Sequence, residues 1–135
     1  MEITFGDKIV SINFNKDEKE YKFFKVIFNT GLDIVKEGIK TSRQLSPTFE
    51  KEAQKIINKE RDGLLLVETG PLVYGIEIES LIFILSMAES YLVAWSLMDA
   101  SKKDSDTERK TNLVLKREIT EILNFLKDEK EKQES

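Results

Sequence analysis

The chain's 135 residues include neither cysteine nor histidine. Without cysteine there is no disulfide, no thiol nucleophile and no thiolate metal site. Without histidine the chain lacks the side chain that most often acts as general base near neutral pH, which is also the commonest transition-metal ligand. Zinc centres and Ser-His-Asp hydrolysis are therefore excluded within one chain. Glycine and proline are scarce, at six and two residues, and the glycines form neither a GxGxxG nor a GxxxxGKS/T phosphate loop. Arginine is scarce beside lysine, four against 17. Arginine is the better bidentate reader of phosphate and guanine, so sequence-specific DNA recognition is disfavoured. The N-terminal MEITFGDKIV has no basic region followed by an apolar run, hence no visible secretory signal, and a cytoplasmic location is expected.

What remains is a chain of 15.6 kDa with 34% charged residues and a net charge of −4. That is one domain, large enough to build a core without staples, and its charge exerts no global pull on nucleic acid. Residues 1–127 are expected to form the domain, with 128–135 a frayed charged tail. The abundance of lysine, glutamate and isoleucine fits either a thermophile or an A/T-rich genome.

The most informative stretch is Leu81–Met98, apolar at 14 of 18 positions. A helix apolar around most of its circumference must be enclosed by protein or lipid. This one is slightly short for a span of about 20 residues. Glu79, Ser86, Glu89, Ser90 and Ser96 fall within an arc of roughly 120° along it. A lengthwise polar strip fits a core or interface helix, wet or polar-paired on one side, rather than a membrane span.

Around this helix the pattern reads ββααββαα. Ile3–Phe5 and Lys8–Phe14 make a hairpin about Gly6-Asp7, with Val10, Ile12 and Phe14 on the apolar side. Asp17 and Glu20 form a capping-box pattern for a helix that ends at Gly38. Its stripe is Tyr21, Phe24, Phe28, Leu32 and Val35, widened by Phe23, Ile27 and Ile34, and Gly31 marks a close crossing or a break. Ser46-Pro47 starts a second helix that Asp62-Gly63 ends. Leu64–Glu68 reads as a buried strand, Thr69-Gly70-Pro71 as a turn, and Leu72, Tyr74, Ile76 and Ile78 as a half-buried strand. After the long helix, Ser105 and Glu108 cap a last helix to Lys127, with a seam of Leu115, Ile119, Ile122, Leu123 and Leu126. GDKIVSINFN (6–15) and GPLVYGIEIE (70–79) echo one another, which either a duplication or convergent hairpin patterning explains. The expected fold is α+β and helix-rich: a small antiparallel sheet with helices on one face and a C-terminal antiparallel helix hairpin. The other face would be polar, carrying Ser11, Asn13, Glu77 and Glu79.

No catalytic, metal or cofactor signature stands out. The leading expectation is a non-catalytic interaction or assembly subunit, associating with itself or another protein through apolar helix surface at Tyr91, Trp95, Leu115, Ile119, Ile122 and Leu126. A second reading is a nucleic-acid-associated accessory factor. It would use Lys51, Lys55 and Lys59, which recur every fourth residue, together with Lys40 and Arg43; a solvated helix face explains the same lysines. A third is a small enzyme or metal-binding protein relying on Glu77, Glu79 and Glu89 alone. Glu77 and Glu79 suit a solvated strand face, whereas Glu89 among apolar neighbours calls for a polar partner or a rim position.

Overall fold

A computed structural model describes the backbone of residues 2–41, 46–99 and 106–134, and of these the side chains other than 41, 93–99, 106–116, 118 and 133–134. Strands β1 (Glu2–Phe5) and β2 (Ile9–Asn13) precede helices α1 (Glu18–Thr41) and α2 (Pro47–Arg61). Strands β3 (Val67–Gly70) and β4 (Val73–Glu77) precede helices α3 (Ile78–Asp99) and α4 (Asp106–Glu134). This is the predicted α+β order. The strands form an antiparallel sheet in the order β1-β2-β4-β3, so the two hairpins meet through β2 and β4.

Local chemistry fixes most boundaries. Asp17 Oδ1 accepts from the N–H groups of Lys19 and Glu20, each at 3.1 Å, capping α1. Ser46 Oγ accepts from Phe49 N–H at 3.1 Å, and Pro47 follows at the first helical position of α2. Both arrangements satisfy amides that a helix start leaves unpaired. Several boundaries differ from expectation: α4 runs on to Glu134, past the expected end at Lys127, and α3 already begins at Ile78. Helix α1 continues through Gly38 to Thr41, because the Phe49 ring packs over the glycine at 3.4 Å from where a Cβ would stand. That tertiary contact offsets the modest helical cost of glycine. Strand β3 begins at Val67 rather than Leu64, and the turn falls at Pro71-Leu72. Leu65 is buried in the core without belonging to a strand.

The hairpins obey a local twofold. Aligning Gly6 with Gly70 makes Ser11 the counterpart of Gly75, Val10 of Tyr74 and Ile12 of Ile76. In the β2–β4 register Ser11 faces Gly75, Val10 faces Ile76 and Ile12 faces Tyr74, as a dyad through the Ser11/Gly75 pair requires. Phe14 N–H donates to the Leu72 carbonyl and Ile78 N–H to the Lys8 carbonyl, both at 3.0 Å. These two bonds are symmetry mates, since Phe14 corresponds to Ile78 and Lys8 to Leu72. Lys8 and Leu72 also share the left-handed backbone, at φ 69° and 55°. The symmetry ends at the helices: β4 passes directly into α3, whereas residues 14–17 separate β2 from α1.

One face of the sheet is the floor of the core. Val10, Ile12 and Ile76 are buried there beneath Phe24, Phe28, Leu85 and Leu123. Phe14 touches the rings of Tyr21, Phe24 and Tyr74, and Phe5 meets Phe125 of α4 at 5.6 Å. On the opposite face Ile9 and Val67 are exposed beside Ser11 and Asn13, so that side is less polar than predicted, and Glu79 has moved into α3. Helices α1 and α3 cross at Gly31. A Cβ there would sit 2.9 Å from Ile84 Cγ2 and closer still to the Ile84 carbonyl oxygen. Of the two meanings Gly31 allowed, the close crossing is the one observed. Helices α3 and α4 are antiparallel: Glu89 meets Thr120 and Glu79 meets Lys130, so ten residues back on one helix are ten forward on the other. No helix among the described residues is long and apolar enough to cross a membrane.

Candidate functional site

Part of each set picked out in the sequence, Lys55 and Lys59 of the basic residues and Glu77 and Glu79 of the acidic ones, meets at the start of α3. Because β4 runs straight into α3, Glu77 and Glu79 flank the helix N-terminus, against the β1–β2 turn. Lysines four apart share a helix face, and here that face of α2 turns toward Glu77. Lys55 Nζ lies 3.0 Å from Glu77 Oε2, and Lys59 pairs with Glu77 Oε1. Burial and the neighbouring Lys55 hold the Lys59 ammonium below lysine's ordinary value, with Glu52 partly offsetting. From α4, Lys130 reaches Glu79 at 3.5 Å. Lys55, Glu77, Ile78, Glu79 and Lys130 line a cleft of about 380 Å³, completed by Asp7 and Lys8. Lys8, Lys55 and Lys130 balance Asp7, Glu77 and Glu79 on its walls. The cleft therefore has little net field with which to draw in an ion of either sign. Its evident action is to tie α2 and α4 to the junction of β4 and α3.

The other named residues lie elsewhere. Lys40 and Lys51 are exposed, the pairs with Glu77 being made by Lys55 and Lys59, and Arg43 is outside the described residues. Glu89 stands about 15 Å along α3 from Glu79. Its carboxylate accepts a 2.6 Å hydrogen bond from the Thr120 hydroxyl of α4, which supplies the polar partner its sequence position demanded. No group of three or more metal-ligating side chains that could hold an ion occurs among the described residues. Of the apolar positions, Ile119 and Leu126 are fully buried in the chain's own α3/α4 packing and Ile122 is half-buried, whereas Tyr91 is 47% exposed. The side chains of Trp95 and Leu115 are outside the described residues.

Tyr91 forms one wall of an open groove of about 570 Å³ between α3 and α1. Thr30, Asp33, Ile34, Glu37 and Gly38 of α1 form the other. The floor is apolar and the two acids stand on the rim. The groove continues along α1 as an exposed stripe, with Val26 62% and Phe23 37% accessible. Phe23 and Ile34 are the residues that widened the apolar arc of α1 in the sequence. Phe24, Ile27, Phe28, Leu32 and Val35 are buried in the core and Tyr21 is half-buried against Tyr74, but Phe23, Val26 and part of Ile34 face outward. Val26 was not legible beforehand, since one valine among Lys22, Lys25 and Asn29 reads as ordinary helix surface.

One polar pair lies apart from both features. Tyr21 of α1 stacks on Tyr74 of β4, with ring centroids 4.9 Å apart and planes 6° from parallel. The hydrogen bond that the Tyr74 hydroxyl donates to Tyr21, then burial, push the Tyr74 phenol up to about 12. Compared with protein families, curated proteins and solved structures, the chain has no match in any of the three.

Proposed function

We propose that this protein is a non-catalytic interaction or assembly subunit that associates through the apolar surface shared by α1 and α3. The observation carrying this reading is the exposed groove at Tyr91 and Ile34 and its continuation through Val26 and Phe23. A connected apolar surface rimmed by charge is the usual mark of a binding face, whereas a scattered exposed leucine is not. Glu77, Glu79 and Glu89 are each engaged by a lysine or by Thr120, and Lys55 and Lys59 are held by Glu77, which favours a structural use of these five residues.

The test compares wild type with Tyr91→Asp by sedimentation velocity over a concentration series and by capture from an extract of the source cell. Association that Tyr91→Asp weakens supports the reading. A wild-type chain that neither self-associates nor retains a partner above the level of the variant refutes it.

A further inference from the structure

We infer that the partner on this surface is a second copy of the chain, packed α1 against α1 in antiparallel fashion about a twofold axis near residue 28. The inference rests on the proposed interaction role and adds the partner, the register and the contacts. Its basis is the ordering of chemistry along α1. At 100° per residue, Lys19, Lys22, Phe23, Val26, Thr30, Asp33, Ile34 and Glu37 fall within an arc of about 120°. From Lys19 to Glu37 the cations occupy the N-terminal end of that stripe, the carboxylates the C-terminal end, and the apolar side chains the middle; Lys40, at the angle of Lys22, follows Glu37 beyond the paired length. Such a stripe is self-complementary only when reversed. A dyad near residue 28 sets Lys19 opposite the partner's Glu37, Lys22 opposite its Asp33, and Val26 opposite its Thr30. Phe23, the protruding ring at one end, then meets the partner's groove of Thr30, Ile34 and Tyr91 at the other, and the exchange occurs twice by symmetry. A parallel pairing would face lysine with lysine and acid with acid. Lys19, Lys22 and Asp33 take part in no ion pair among the described residues, so the Lys22–Asp33 contact displaces none. From Phe23 to Glu37 the stripe is about 20 Å long. One helix pair of that length buries less than the about 800 Å² per partner of a stable interface, so the dimer is a concentration-dependent one.

The experiment is sedimentation equilibrium of the full chain at low salt, for wild type, Val26→Glu, Lys22→Glu, Asp33→Lys and the double variant Lys22→Glu/Asp33→Lys. Circular dichroism confirms that each remains helical, as these exposed positions require. Wild type is expected to dimerise reversibly. Each single charge reversal, counted twice by the symmetry, should weaken the dimer by about tenfold. The charge-swapped double variant should recover most of that loss, and Val26→Glu should leave monomer alone. Carbodiimide treatment of mixed isotope-labelled and unlabelled chains should join Lys22 of one copy to Asp33 of the other. A chain that stays monomeric to about 1 mM, or a dimer indifferent to these reversals or not rescued by the swap, overturns the inference. If another protein binds in a Tyr91-dependent manner while the chain stays monomeric, this inference fails and the proposed function stands.

Discussion

Gly31→Ala should destabilise the protein although alanine is the better helix former. In an isolated helix the change would gain about 1 kcal/mol. Here the added methyl meets the backbone and side chain of Ile84 across the α1–α3 crossing, at 2.9 Å from Cγ2 and 3.0 Å from the carbonyl carbon. Ordinary carbon–oxygen approaches are about 3.3–3.6 Å and carbon–carbon approaches about 3.5–4.0 Å. The helices must therefore separate by something near 1 Å, since the obstructing carbonyl belongs to the hydrogen-bonded backbone of α3. A gap of 0.5–1 Å forfeits roughly a quarter to a half of each dispersion contact across it. Phe28, Leu32, Val35, Leu81, Leu85 and Ala88 are all buried in the core around this crossing. Overpacking of this kind costs about 1–3 kcal/mol, occasionally more, and a backbone obstacle on a helix crossing belongs at the upper end. Taking about 4 kcal/mol for the clash against about 1 for propensity leaves a net loss near 3 kcal/mol. With a urea slope of about 1.5 kcal/mol/M, the unfolding midpoint followed by circular dichroism should fall by about 2 M. A variant as stable as wild type, or more so, would refute the close crossing and the packing argument drawn from it.

Gly38→Ala supplies the opposite sign on the same helix: its Cβ would touch Phe49 at an ordinary 3.4 Å, so urea unfolding should show a gain of up to about 1 kcal/mol. Thr120→Val keeps the shape but removes the hydroxyl bonded to Glu89, and should cost about 1–2 kcal/mol in thermal or urea melts, with Thr120→Ser close to wild type. Tyr74, with its folded value near 12 against an ordinary 10, keeps its proton in the folded protein after the unfolded chain has released it. Its contribution is intact below pH 10 and is lost as pH rises toward 12. Near-ultraviolet tyrosinate absorbance should show one late phenol in wild type. In Tyr21→Phe that phenol should titrate earlier and the alkaline loss of stability should shrink.

The parts of the fold that were legible in the sequence are those set by near neighbours. Helix α2 was read from Ser46-Pro47 to Arg61 because its cap, its first-position proline and its terminating Asp62-Gly63 act within a few residues. The start of α1 followed from Asp17 in the same way. The alternation of Val10, Ile12 and Phe14 gave the sheet's buried face, and the twofold echo of the hairpins was present in their spacing. The last boundary of α1 was misread because Phe49, eleven residues beyond Gly38, covers the glycine that should have ended the helix. The start of β3 was misread because the run Leu64–Val67 has no alternation to set its phase, and pairing with β4 sets it instead.

The candidate sites divide the same way. Composition alone removed cysteine and histidine chemistry, and periodicity placed Lys51, Lys55 and Lys59 on one face and marked Glu89 as needing a partner. Whether that face turned toward solvent or toward Glu77, and whether Thr120 or water met Glu89, depended on residues 18 to 31 positions away, on other elements. Likewise the sequence established that α1 and α3 carry more apolar surface than a small sheet covers. Only the packing of α3 and α4 against α1 determined that Phe23, Val26 and Tyr91 would be the part left outside. Periodicity is a property of one helix, whereas burial is a property of two, and the chain specifies the second only through its three-dimensional path.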